Sequence, residues 1–416
     1  MGFAPWEIVL IAGVAGGATT CAALVAPRRR LVWIGLAGSA AAALLALGIG
    51  GVWRLTTRAD ATVVVGLVGL GASLGGYALC AALLPTLTRP RMVSPALVTA
   101  PDDGTAHVIL LADAEHDTYR PGDVTRALEL YERLEVPMPP YLARPLVYAS
   151  ERSRYRRASG SPARRAVREV AAALATHPQD ESPYAVETAF CNGGPSLAEV
   201  VAALAARGGR RIIVVAMTVA RTRAFDSAIG DAQSLALSRA GIEMIVTDPL
   251  WASSGVASAA ARRALAVFSG HGRENGVVLV AEGSPWQWDR QYPAATEQST
   301  FFAQRLRAEL IERGLPAERI RQAWLDWEQP DVPEAVRHLA ALGATRIALV
   351  PVDLLVENLA SAVDLPQAAE QAAFETAIRI EVVSPLGDDP ALISALLRQI
   401  ARASLNLEGL AGDPDL

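Results

Sequence analysis

Lysine is missing from all 416 residues, so every one of the 38 basic side chains is an arginine. That absence excludes a Schiff-base lysine and the lysine of a phosphate-binding loop. Cysteine is nearly absent too. Of the three, Cys21 and Cys80 lie in apolar stretches, too few for a disulfide framework or a multi-thiolate zinc site. Positive charge is scarce where nucleic acid would need it. Residues 1–91 hold seven Arg against Glu7 and Asp60, while the rest of the chain holds 31 basic against 41 acidic groups. An acidic body excludes nucleic acid as a partner, because phosphate binding needs clustered cations.

What the chain has in excess is apolar surface, 51% of residues with a mean hydropathy of +0.26, above that of an ordinary soluble enzyme. Three charge-free stretches, 8–27, 31–53 and 61–88, each reach the roughly 20 residues a helix needs to cross a hydrocarbon core. They predict three transmembrane helices in residues 1–91, with the lipid bilayer as partner. Arg28–Arg30 follow the first stretch and Arg89 and Arg91 the third, while Arg54 and Arg58 stand beside Asp60 between the second and third. The positive-inside rule then expects a multi-pass protein of the cell membrane with its body in the cytoplasm. Gly13/Gly17 and Gly71/Gly75 are spaced for close helix approach. The spans carry no ionisable residue, which speaks for an anchor rather than a transport path and leaves open a membrane protein partner.

Residues 92–106 read as a Pro/Gly-rich linker. Beyond it, β-branched runs at Val108–Ala112, Ile212–Ala216, Met244–Val246, Val277–Ala281 and Ile347–Val352 predict buried parallel strands. Helical patterns over 163–176, 196–207, 297–313, 333–342 and 390–404 alternate with them, as an α/β fold requires. An internal repeat organises this body. Pro195–Val215 aligns with Pro330–Val350 without a gap, and ten of 21 positions are identical. Each copy reads as a proline-started helix, a glycine stop and an arginine-led strand. Val108–Asp113 corresponds likewise to Val277–Glu282, and Tyr131–Ser161 is extra to the first copy. The predicted fold is two similar doubly wound parallel-sheet halves, 107–265 and 266–416.

At these residues the sequence resembles the class II chelatases, the ferrochelatases and the sirohydrochlorin and cobalt chelatases. The resemblance runs over roughly 106–405. It rests on Leu279–Pro285, Trp324–Pro330, Gly343–Pro351 and Asp364–Pro366, and in the first half on Tyr155-Arg-Arg-Ala-Ser-Gly-Ser-Pro162. It implies a chelatase-like fold and insertion of a divalent metal, Fe²⁺ first, into a porphyrin-type tetrapyrrole, with metal and ring as substrates and no tightly bound cofactor. The departures are specific. The family's catalytic histidine falls on Glu282 and its first-half counterpart on Asp113, a further glutamate falls on or near Ala360, and Ala114-Glu115-His116 replaces a Gly/Pro-rich turn.

Metal insertion needs a ligand that delivers the ion and a base that takes two pyrrole protons. Imidazole suits both tasks; a carboxylate suits the second only if burial raises its pKa. Glu282 therefore reads as base and metal ligand, or else as a strand-end acid capping the next helix. Asp113 and His116, and Asp353 and Glu357, are further candidate metal ligands at strand ends, with turn or loop roles as the alternative. Trp286, Trp288 and Tyr292 offer flat apolar surface for a macrocycle or simple packing. Arg154, Arg156 and Arg157 read as a propionate clamp or a solvated basic stretch. Cys191, aligned with Asp326, reads as a small buried residue. The rival function is a tetrapyrrole- or metal-binding protein that kept the cleft and lost the base.

Overall fold

A computed structural model describes residues 5–27, 34, 37–42, 44, 59–89, 95–176, 185–268, 272 and 274–411. The chain forms two compact units, Met1–Met92 with Thr118–Arg157, and Val93–Asp117 with Ala158–Leu416. These groupings depart from the linear boundaries 1–91, 92–106, 107–265 and 266–416, because the segment after the first strand belongs with the apolar N-terminus.

The first unit contains helices α1 (Pro5–Val25), α2 (Ala59–Thr88), α3 (Pro121–Arg133) and α4 (Arg144–Arg157). Among the described residues two helices, not three, are long and apolar enough to cross a membrane: Glu7–Val25 and Gly66–Thr88. The stretch 31–53 and Arg28–Arg30, Arg54, Arg58 and Arg91 lie largely or wholly outside the described residues. Helices α1 and α2 touch along small residues, as expected for Gly13 and Gly17. A Cβ on Gly13 would fall 2.7 Å from Gly69 O, and one on Gly17 would fall 1.7 Å from Ser73 O. On α2 the expected Gly71 and Gly75 face open space, and Gly76 makes the contact, where a Cβ would fall 2.0 Å from Val14 O. The helical phase explains the correction, since Gly69, Ser73 and Gly76 are spaced four and three residues apart on one stripe. Gly76→Leu is expected to wedge the pair apart at a cost of about 1–3 kcal/mol, read as a lower unfolding midpoint in detergent; an unchanged midpoint contradicts this packing.

The extra segment of the first half explains itself within this unit. Arg152 Nη1 donates to the Ala23 and Ala26 carbonyls at 2.6 and 3.0 Å, placing a cation at the C-terminus of α1 where orphan carbonyls and the helix dipole favour one. Tyr119 Oη donates to Val25 O at 2.8 Å, and Tyr77 Oη to Leu142 O at 3.0 Å. Helix α4 and the segments just before α3 and α4 thus hold α1 and α2 by specific bonds.

The second unit carries the two halves. In the first, β1 (Ala106–Ala112), β2 (Ala185–Phe190), β3 (Arg211–Met217) and β4 (Glu243–Val246) form a parallel sheet in the order β2-β1-β3-β4. In the second, β5 (Asn275–Ala281), β6 (Ile320–Trp324), β7 (Arg346–Pro351) and β8 (Arg379–Val382) repeat it as β6-β5-β7-β8. Register repeats as well, Ala106 opposite Arg211 and Asn275 opposite Arg346. The repeated helices are α6 (Leu197–Ala206) and α11 (Val332–Ala341), capped by the side chains of Ser196 and Asp331 and each preceded by a cis proline bond.

Three layers of helix enclose the sheets. Ile109, Leu111, Ile212 and Val214 pack on α6 and α7 (Arg223–Gln233), and Val278, Val280, Ile347 and Leu349 pack on α11 and α12 (Leu365–Thr376). The inner faces, Val108, Leu110, Ile213 and Val215 with Val277, Leu279, Ala348 and Val350, share one core. That core also takes α5 (Ala163–Ala175), α8 (Ser254–Ala266), α10 (Pro293–Glu312) and α13 (Pro390–Ala411). Strands buried on both faces account for the near-continuous apolar runs. The halves also exchange helices. Helix α13 packs on β3 and β4, where Gln399 Nε2 donates to Asp248 O at 2.6 Å, and α8 packs on β7.

Candidate functional site

In a sheet ordered 2-1-3-4 the winding direction reverses beside the first strand, and a crevice opens at the carboxyl ends there. This body has two such points. One carries Asp113 after β1 and Thr218 after β3; the other carries Glu282 after β5 and Asp353 after β7. The loops of these ends meet across the halves. Arg221 N–H donates to Gln298 Oε1 of α10 at 2.7 Å, and the Arg223 guanidinium lies 6.0 Å from the Tyr292 ring centre.

At the second point, Glu282 N–H donates to Asp353 Oδ2 at 3.4 Å, and the Ser299 hydroxyl donates to Asp353 Oδ1. Burial pushes the Asp353 carboxyl above its ordinary range, against the pull of those two bonds. Glu328 is raised too, first by burial and then by the charges of Asp289 and Asp353, with the Ser284 N–H opposing. Glu282 itself is exposed, so the apolar burial expected for it is corrected. Gly283 forms the turn directly after it with φ +82°, and a Cβ there would fall 2.1 Å from Asp326 O. Gly283→Ala is expected to destabilise by about 1–3 kcal/mol, seen as a lower unfolding midpoint; a neutral result would show that the turn has room.

At the first point, Asn192 Nδ2–H donates to Asp113 Oδ1 at 2.7 Å. Burial pushes the Asp113 carboxyl up to about 6, with the Asn192 bond opposing and the Glu115 charge adding to the rise. Asp113 is nevertheless exposed to solvent, crowded by Asn192 and Glu115. Because the folded value exceeds the ordinary 3.8, the native state holds this proton more tightly than the unfolded chain does. Stability from this group is therefore greatest below about pH 4 and falls as pH rises to about 6. Asp113→Asn should raise the unfolding midpoint at pH 7 and leave it unchanged at pH 4; the reverse order would contradict the assignment.

The glutamate position expected near Ala360 is reached from the other half. Glu115 Oε1 accepts from Leu359 N–H at 2.5 Å and from the Ser161 hydroxyl at 2.8 Å. Sequence reasoning missed this bridge and also missed Arg164, which is 6% exposed. Arg164 donates to the carbonyls of Glu115 at 3.2 Å, Gly194 at 2.5 Å and Asn192 at 3.1 Å, and lies 4.5 Å from the Phe190 ring centre. It ties the loops after β1 and β2 together.

The other candidates fall in several places. His116 is buried, its ring occupying the space a Cβ on Gly193 would take. Glu357 is exposed in the loop after β7. Among the described residues no three His, Cys, Asp or Glu side chains converge to hold a metal, so Glu282, Asp113, His116, Asp353 and Glu357 do not form one ligand set. Trp286 and Trp288 lie on the short helix α9 (Trp286–Gln291), Trp286 65% exposed, with Tyr292 directly after. Phe301, 55% exposed, meets Trp251 at 6.0 Å between ring centres. Arg154, Arg156 and Arg157 lie on α4 in the other unit, and Arg154 Nη1 donates to Glu151 at 2.7 Å. Cys191 pairs by backbone with Ala112 as Leu325 does with Ala281, so the structural counterpart of Asp326 is Asn192.

A two-lobed α/β body with a repeated parallel sheet and paired switch points is the architecture expected of a class II chelatase. The family model described as Ferrochelatase matches residues 137–404, and the chain belongs to that family. Among curated proteins none matches the chain. Among solved structures, SirB from Bacillus subtilis with Fe³⁺ is similar at 19% identity and a TM-score of 0.46, over 60% of this chain and 94% of that one. The sirohydrochlorin chelatase SirB from Bacillus subtilis subspecies spizizenii in complex with cobalt gives 18% and 0.44, over 60% and 94%. DR2241 from Deinococcus radiodurans, a multi-domain protein with structural similarity to chelatases, gives 19% and 0.42, over 72% and 55%.

Proposed function

We propose that the protein inserts a divalent metal, Fe²⁺ first, into a porphyrin-type tetrapyrrole at the cytoplasmic face of a membrane. The observation that carries this reading is the bond from the Glu282 backbone N–H to the Asp353 carboxylate at the second switch point of a ferrochelatase-family body, with Asp113 at the equivalent strand end of the first half. Insertion exchanges two pyrrole N–H protons for M²⁺, and each proton needs an acceptor. Asp353 and Asp113, raised by burial, are the bases, and exposed Glu282 meets the arriving ion as an oxygen ligand. The exposed Trp286 ring, four residues after Glu282 in the chain, is a platform for a flat macrocycle.

Two apolar helices long enough to cross a bilayer support the membrane part of this reading. In the α1–α2 contact Gly13 meets Gly69 and Gly17 meets Ser73, so the two helices run parallel. If both cross the bilayer, the chain between them crosses back, and 31–53 is the stretch able to do so.

The alternative, a tetrapyrrole binder, is favoured by one feature: carboxylates stand where the family's histidine is expected. Full-length protein mixed with porphyrin and anaerobic Fe²⁺ separates the two. Conversion of the free-base spectrum to that of the metallated ring, faster than in buffer, supports the enzyme. A shifted Soret band without conversion supports the binder, and an unchanged spectrum contradicts both.

A further inference from the structure

The first unit encloses a hollow of about 230 Å³ between α2, α3 and α4, many times the ~10–15 Å³ that admits one water. Its walls differ in character. Ala81, Leu84 and Pro85 of α2 give an apolar side, and Leu87, Leu142 and Leu146 of the same unit are 70%, 57% and 57% exposed. The opposite wall holds Arg144, 7% exposed. Its guanidinium stacks 3.7 Å from the Tyr141 ring centre, and Nη2 reaches Glu132 Oε1 at 3.3 Å. The buried Nε–H has no partner. A guanidinium has five N–H donors, and burying its Nε–H unused is unfavourable unless an acceptor arrives from outside the chain.

We propose that this hollow binds the headgroup of a zwitterionic aminophospholipid of the bilayer, its phosphate on Arg144 and its ammonium toward Glu132. Charge decides between headgroups. Glu129 is already paired with Arg89 at 3.3 Å, which leaves the buried Arg144 guanidinium beside the half-exposed Glu132 carboxylate, so a purely anionic group meets Glu132 and a purely cationic one meets Arg144. A phosphate–ammonium pair matches both. An ammonium donates hydrogen bonds to carboxylates and a quaternary choline does not, so phosphatidylethanolamine is preferred over phosphatidylcholine. The acyl chains lie along the exposed leucines.

The proposal rests on the reading of α2 as a membrane span, and the test keeps the two apart. Full-length protein is first floated with vesicles; failure to float overturns the span and leaves the headgroup site testable with water-soluble dihexanoyl phosphatidylethanolamine. Lipid retention is then measured by native mass spectrometry after purification from equimolar phosphatidylethanolamine and phosphatidylcholine. The expected result is at least tenfold preference for the former, lost in the double variant Arg144→Met/Glu132→Leu. That variant replaces an ion pair with apolar groups of similar shape, an exchange that is often neutral for folding. Equal retention of both lipids by the unsubstituted protein, or undiminished preference in the double variant, overturns the site. Should the double variant fail to fold, the preference of the unsubstituted protein decides alone. Displacement of lipid by inorganic phosphate at equal concentration would show a simple anion site and likewise overturn the proposal.

Discussion

Replacing Glu282 with Gln and Asp353 with Asn together is expected to lower metal insertion by about 10²-fold or more, while leaving binding of the free-base ring within a few-fold. General base catalysis contributes about 10²–10⁴, and the pair loses both its oxygen charge and its proton acceptor. Glutamine and asparagine preserve shape, so the Ser299 contact and the Glu282 backbone bond to residue 353 have substitutes. The pH profile carries a second signature. A base must be deprotonated to work, so insertion should rise with pH through about 6, where Asp113 titrates, and Asp113→Asn should flatten that limb. If the double variant inserts metal at the original rate, neither carboxylate takes part and the base lies elsewhere.

The second large effect is on stability. Arg164→Met is expected to destabilise the body by about 3–5 kcal/mol, because it strips the carbonyls of Glu115, Asn192 and Gly194 of their shared donor inside the core. Arg164→Lys should cost nearly as much, since a single ammonium cannot reproduce the planar fork that reaches three carbonyls. Chemical denaturation compares the three proteins. A lysine variant as stable as the parent would mean the charge alone matters and the fork geometry does not.

How much of this was legible in the sequence depends on where each residue sits. The central strands β1, β3, β5 and β7 were readable because both faces are buried and the composition turns uniformly apolar. The edge strands β2 and β8 carry Glu187, Arg379 and Glu381 on half-exposed surfaces, and that pattern does not differ from a loop. The repeat held from Pro195 onward, with both prolines cis. It slipped by one residue in the turn before it, where Trp327 at φ +66° answers Gly193 at φ +87° and two residues rather than one lead on to the cis proline, so Asn192 rather than Cys191 answers Asp326. The strand-end positions of Asp113 and Glu282 followed from sequence; their degree of burial did not, because it depends on loops brought in from elsewhere. The Glu115–Leu359 bond joins residues far apart in the chain and leaves no local trace. Arg164 did leave one. It stands on the apolar stripe of Val167, Ala171 and Leu174, whereas its neighbour Arg165 faces solvent. An arginine in phase with a buried helix face is a signal for a buried role.

Anomalous diffraction from crystals of the full-length protein soaked anaerobically with Co²⁺ tests the central claim most directly. The account predicts a peak at coordination distance from a carboxylate oxygen of Glu282, between the ends of β5 and β7, and its loss in Glu282→Gln. A metal held only on the first half, or a peak undiminished in that variant, would contradict it.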